Sequence, residues 1–325
     1  MTRSHDRDLE PGRRRARARA RGDLLDLLLG LLLGVLIGCS HASPQPATPP
    51  RTPTPGENVL ALLPDGAQVI VELDLARLRA NAAVGETAKQ VLGALGADRP
   101  VPGLPVAVLG SPLASADRVV LAAYGVGTAQ AATLTVLTTK AEVAGGVRIS
   151  PELVALGPDD WVGQLQTRAA LAAQHPLAVP EAVLKLRDHA MPAGATGAIV
   201  RITARLPFDA RVALARMTNI DAAPAELSLW CDVADDLAIV VDSDAVDPGD
   251  HDARAANNSA RRLAHTIRGV LGALAEAPVI RQLGVPTSLA DARLVIEGSW
   301  VRTIVDVGPR HLARVVERAR AMLAP

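Results

Sequence analysis

The chain has 325 residues with 34 basic and 34 acidic side chains, a formal net charge of zero. Five aromatic residues stand in it, Tyr124, Trp161, Phe208, Trp230 and Trp300, and beyond residue 38 no basic stripe accompanies them. Neither phosphate neutralisation nor base stacking has its raw material, so nucleic acid is not an expected partner.

The first elements in chain order are a basic stretch and an apolar run. Arg13, Arg14, Arg15, Arg17, Arg19 and Arg21 precede an uninterrupted apolar run from Leu27 to Gly38, whose front is broken by Asp23 and Asp26. A spanning helix needs roughly 20 apolar residues to cross about 30 Å of hydrocarbon, so this run is too short. A basic n-region followed by a short apolar h-region reads as a secretory signal segment over residues 1–38. Composition and spacing alone say only that this is a secretory signal; an ordinary signal peptide would be cut near His41-Ala42-Ser43. Removal through Gly38 would leave 26 basic and 29 acidic residues, a mildly acidic mature chain.

The run ends in Leu36-Ile37-Gly38-Cys39, which resembles the lipobox of bacterial lipoproteins. The resemblance implies that a signal peptidase recognises Leu36, Ile37 and Gly38, cuts after Gly38, and leaves Cys39 as an N-terminus carrying diacylglycerol and palmitate. Ser40 in the next position implies, by the same resemblance, delivery to the outer membrane. Each buried acyl CH₂ contributes about 0.8 kcal/mol, so a multiply acylated cysteine is a lasting anchor. The expected partners are therefore a membrane, held through lipidated Cys39, and a protein beyond it.

Residues 39–57 are rich in Pro, Thr and Ser, as in "SPQPATPPRTPTPGEN". Proline fixes its own φ and donates no backbone hydrogen bond, which predicts an extended, solvated tether.

The remaining chain divides into two similar halves, 58–180 and 181–325. In the first, "AQVIVELD" alternates as a half-buried strand, and Asp74 opens the helical "LARLRANAAVGETAKQVLGALG". "DRVVLAAYGVG" and "AATLTVLTT" read as a hairpin whose Gly125 and Gly127 are turn residues. "VRIS" and "ELVALG" are shorter strands, and "DDWVGQLQTRAALAAQ" is a helix. The second half repeats this order with "GAIVRITARL", "FDARVALARM", a hairpin of "AELSLWCDV" and "DLAIVVDSD", the pair "ARLVIEGSW" and "VRTIVDVG", and a last helix from Pro309. It adds a long helix carrying Leu263, Ile267, Val270, Leu271 and Leu274 on one stripe, which has no first-half counterpart. Residues 176–196 form a bridge. The expected fold is α+β: mostly antiparallel sheets covered by helices, in two imperfectly repeated halves.

The stretches "NVLALLPDGAQVIVELDLARLRAN", "DRVVLAAYG" and "ELVALGPDDWVGQL" are similar to predicted lipoproteins of unknown function from high-GC Gram-negative bacteria. The resemblance implies secretion and a two-part α+β body, and it brings no catalytic residue with it.

Chemistry-bearing motifs are scarce. G-x-S-x-G, S-x-x-K, H-E-x-x-H and a glycine-rich phosphate loop are all missing from the sequence, so no enzyme activity and no cofactor are expected. The acidic stretch "DSDAVDPGDHD" offers Asp242, Asp244 and Asp247 as a weak metal candidate, because Ca²⁺ takes six to eight hard oxygens. Asp247 stands where an EF-hand loop needs Gly, and Ala253 where it needs the bidentate Glu. The alternative is an acidic turn in which Asp250 or Asp252 caps the next helix. His175 stands just before the bridge and His189 within it, and His265 and His311 fall on helices with surface placement expected. The function expected is that of a non-catalytic, membrane-anchored envelope lipoprotein with an interaction or structural role. The alternative is a periplasmic carrier that holds an apolar ligand between sheet and helices.

Overall fold

The computed structural model describes residues 55–96, 110–246 and 253–323. The signal segment, Cys39, most of the tether and Asp247, Asp250 and Asp252 lie outside them. The first half runs α1 (Pro55–Leu62), β1 (Val69–Asp74), α2 (Leu75–Ala80), α3 (Gly85–Gly96), α4 (Gly110–Ser115), β2 (Arg118–Tyr124), β3 (Ala132–Thr138), β4 (Val147–Ser150), β5 (Leu153–Leu156) and α5 (Asp159–Ala172). After α6 (Glu181–His189) the second half runs β6 (Val200–Arg205), α7 (Phe208–Thr218), β7 (Glu226–Val233), β8 (Leu237–Asp244), α8 (Ala253–Glu276), α9 (Pro278–Leu283), α10 (Pro286–Ala290), β9 (Arg293–Glu297), β10 (Trp300–Val307) and α11 (Pro309–Leu323).

The fold is α+β, and where separate sheets were expected all the strands join one. Ten strands lie in the order β4-β5-β3-β2-β1-β6-β7-β8-β10-β9, every neighbouring pair antiparallel. Read outward from the centre, the two halves have one topology: β1-β2-β3-β5-β4 on one side and β6-β7-β8-β10-β9 on the other. β1 and β6 pair antiparallel, with Val71 opposite Ile202, so a half-turn about the middle of the sheet exchanges the halves. The repeat is imperfect where expected. A loop joins β3 to β4, whereas α8, α9 and α10 stand between β8 and β9.

Alternation along each strand assigns the two faces. Val71, Leu121, Leu137, Ile202, Leu229, Cys231, Ile239 and Val305 belong to one core. That face is covered by α2, α3 and the helices of the second half, with Leu312, Val315, Val316 and Ala319 of α11 among the most buried residues. The opposite face of the first half carries Ile70, Val120, Ala122, Tyr124, Leu134 and Val136, under α1 and α5. Burying a Leu, Ile or Val side chain contributes about 1.5–3 kcal/mol, so these two layers supply most of the drive to fold.

Local signals explain most boundaries. Asp74 caps α2 through its side chain, accepting from the Arg77 N–H at 2.8 Å. The helix expected as one piece from Leu75 breaks at Asn81, whose side-chain oxygen accepts from the N–H groups of Ala83 and Val84 and starts α3 anew. α9 ends on Gly284 at φ 81°, a left-handed cap that favours glycine, and a side chain there would have to displace the Arg318 guanidinium. Gly125 and Gly127 both have positive φ in the β2–β3 connection, as hairpin chemistry requires. α1 was not expected: it begins inside the stretch assigned to the tether, where Pro55 supplies the fixed φ of a first helical turn.

The halves share burial as well as pairing. α11 packs on α3, and Arg320 Nε donates to Thr87 Oγ1 at 2.8 Å. Fragments 55–180 and 181–325 expressed separately should therefore expose β1 or β6 as a raw edge and fail to melt cooperatively. Two independent cooperative melts would show that the shared sheet is dispensable. Tyr124, stacked on Trp161 at 3.9 Å, donates its hydroxyl to Pro64 O at 3.1 Å, and burial raises its pKa above the ordinary 10.0. A phenol whose folded pKa is raised contributes full stability below the unfolded value and loses it as pH climbs past about 10. Melting temperature should fall above that pH, and Tyr124→Phe should flatten that fall.

Candidate functional site

α6 decides what the second face does at the centre of the sheet. The bridge expected over 176–196 contains this helix, which packs across β6 and β7. Its buried stripe carries Arg187 beside Leu186, which points a guanidinium at the sheet. The strand positions beneath are polar in two neighbouring cross-strand rows: Glu72 on β1 opposite Arg201 on β6 in one, and Ser228 on β7 opposite Asp242 on β8, which in turn faces Arg302 on β10, in the next. A charged layer results, set between helix and sheet.

Its first part clamps α6 to the middle strands. Arg187 binds Glu72 in bidentate fashion, Nε to Oε1 at 2.6 Å and Nη2 to Oε2 at 2.9 Å, with the side chains 5% and 12% exposed. Arg201 Nη1 donates to Asp188 Oδ1 at 2.6 Å, and its Nη2 approaches Met191 Sδ at 3.4 Å. Ser228 Oγ accepts from the Ala190 N–H at 3.1 Å and faces the Arg187 carbonyl at 3.4 Å. The helix end thus gives both a donor and an acceptor to one buried hydroxyl.

The second part is a His–Asp–Arg cluster at the rim. Asp242, 1% exposed, accepts from Arg302 Nε at 2.8 Å and Nη2 at 2.6 Å, and its Oδ2 lies 2.8 Å from His189 Nδ1. Arg302 Nη2 also donates to the His189 carbonyl at 3.2 Å, placing a cation on the C-terminal end of the α6 dipole. Hydrogen bonding to Asp242 raises the Arg302 pKa, against the opposing effect of burial. His189 stacks on Trp300 with centroids 3.9 Å apart, and its side chain is 39% exposed.

A histidine on a buried carboxylate is part of the apparatus of general-base catalysis, and the missing part is a nucleophile. Among the described residues no hydroxyl or thiol hydrogen-bonds His189 Nε2. Among the described residues, the guanidiniums of Arg187, Arg201 and Arg302 are paired with the carboxylates of Glu72, Asp188 and Asp242.

Of the three residues of the metal candidate the structure describes Asp242 and Asp244. Asp242 has both oxygens committed to Arg302 and His189, and Asp244 turns Oδ1 to the Val246 N–H at 3.0 Å. Asp247 lies outside the described residues, and among those described no group of three His, Cys, Asp or Glu side chains is placed to hold a metal ion. His311 is also not the surface residue expected. Its Nε2 lies 2.5 Å from the Gly284 carbonyl and its Nδ1 3.3 Å from Ser288 Oγ, tying α11 to the α9–α10 corner. Cys39, Leu36, Ile37 and Gly38 fall outside the described residues. Among the described residues, no helix is long and apolar enough to cross a membrane.

No protein-family model matches the chain, and no curated protein matches it. Among solved structures it is similar to crystal form I of TP0453, a Treponema lipoprotein, at 9% identity and a TM-score of 0.39, over 80% of this chain and 96% of that one.

Breaking a buried ion pair from one side leaves an uncompensated charge, which destabilises by about 3–5 kcal/mol, whereas replacing both partners by apolar residues is often neutral. Glu72→Gln should therefore lower stability by about that amount in urea unfolding. Glu72→Leu combined with Arg187→Leu should recover most of the loss. A silent Glu72→Gln would mean that the pair does not hold α6 down.

Proposed function

We propose that this chain is a non-catalytic lipoprotein of the cell envelope, anchored through acylated Cys39 and working through protein contacts made by its α+β body. The observation that carries the reading is the order of parts in the sequence: a basic n-region, a short apolar run ending in Leu36-Ile37-Gly38-Cys39, a Pro/Thr-rich tether, and then a body that folds from Pro55 onward. Ser40 favours the outer membrane as the destination.

The contacts of the α6 layer fit a structural role: the His189–Asp242 pair is held by Arg302 and Trp300, and Arg187 and Arg201 are paired with Glu72 and Asp188. An apolar carrier is less well supported. One space between helix and sheet, that under α6, is filled by Glu72, Arg187 and Arg201, and an apolar molecule there would strip these charges of their partners.

Metabolic labelling with palmitate tests the anchor. The wild-type chain should incorporate label and sediment with membranes, and Cys39→Ala should lose the label and leave the membrane fraction. Label persisting in Cys39→Ala would sink the reading.

A further inference from the structure

The two ends of the sheet are built differently. At one end β4 is an irregular edge: its pairing with β5 shifts register between Arg148 and Ser150, and the Arg148 guanidinium reaches the carbonyls of Thr139, Ala141 and Pro151. Bulges and charged side chains of this kind prevent a sheet edge from pairing with another chain. At the other end β9, Arg293-Leu294-Val295-Ile296-Glu297, pairs with β10 in unbroken register and contains no proline, lysine or bulge. Val295 is 43% and Ile296 39% exposed.

The hairpin fixes which backbone groups of β9 are free. Glu297 faces Trp300 across the two-residue turn Gly298-Ser299, with Gly298 at φ 64°, so Glu297, Val295 and Arg293 point their N–H and C=O groups at β10. Leu294 and Ile296 point theirs outward. A second copy of β9 laid antiparallel and centred on Val295 would pair Leu294 with Ile296 of the copy, twice over, through four backbone hydrogen bonds. Val295 would face Val295 of the copy in a close, non-hydrogen-bonded pair. The same register sets Arg293 opposite Glu297 of the copy at both ends of the strand, so opposite charges meet. Registers centred on Leu294 or Ile296 shorten the overlap and lose that charge match.

We propose that β9 is a self-recognition edge, through which two copies of this chain join their sheets about a two-fold axis at Val295. The joined sheet would run unbroken through both copies, with the irregular β4 edges at its far ends. An isologous contact of this kind closes on itself and stops at the dimer. The pairing is independent of the lipid anchor. An anchor would assist it by holding copies on one surface, where effective concentration is high.

Cross-linking in the full-length chain tests the register. In a close antiparallel pair the Cβ atoms lie about 4.5–5.5 Å apart, so Val295→Cys should give a reducible dimer when intact cells are oxidised. The wild-type chain and Val147→Cys, on the other edge, serve as controls. Adding Glu297→Arg, which sets arginine against Arg293 of the copy and leaves the Arg293–Asp306 pair intact, should lower the dimer yield by roughly three- to tenfold. Adding Arg293→Glu to that variant should restore it. Val295→Cys yielding no more dimer than Val147→Cys overturns the proposal. So does a dimer indifferent to Glu297→Arg, or one that the charge exchange fails to rescue.

Discussion

The pairing of β1 with β6 is the constraint on which the rest of this structure depends. Each is the first strand of its half, and each has only one neighbour within that half, β2 and β7. Left alone, either would be an apolar edge with a row of unpaired backbone groups, and Val71 and Ile202 would border water. Antiparallel contact satisfies both edges at once, and it places the start of each half at the centre of a shared sheet. Everything further out inherits its orientation from that seam: the two cores, the position of α11 over α3, and the placing of β9 and β4 at opposite ends.

The seam also explains why the charged layer sits where it does. Apolar helices cover one face from end to end, and α1 with α5 covers the other face over β2, β3 and β5. The strip of that second face over β6 and β7 receives α6, a helix of only nine residues, and the chain that follows it. Bidentate pairing of Arg187 with Glu72 fixes the position of such a helix by geometry where apolar area would leave it free to slide. The layer thus reads as a device for register between a short helix and a sheet, with His189 and Trp300 as its solvent-facing end.

Much of the fold was legible in the sequence because strands and long helices announce themselves by period. β1, β3 and β7 alternate, β2 and β8 are short apolar runs, α8 and α11 carry apolar stripes, and Asp74 and Pro309 mark helix starts. The repeat was visible for the same reason. The union of both halves in one sheet was not, since nothing local in "VIVELD" or "VRITAR" states that the two strands are neighbours. α6 was hidden inside a proline-flanked stretch that composition assigns to a connector. The His189–Asp242–Arg302 cluster was illegible for a related reason: its members are brought together by strand register and helix placement, and no spacing along the chain encodes that. His311 was misplaced because a helix flanked by arginines looks solvated all round until the carbonyl it meets, that of Gly284, is known.

The central seam has a consequence in time as well as in space. β1 is among the first strands to be made, yet it gains its second partner only when β6 has been made in its turn. Until then the nascent chain carries a half-paired apolar strand, and the long-range closure that ends this state is the slow kind of contact to form. During that interval the chain is exposed to pairing with whatever extended segment it meets, a second nascent copy included. Synthesis order and sheet order are opposed in this protein, and the interval between them is when assistance from a chaperone would matter most.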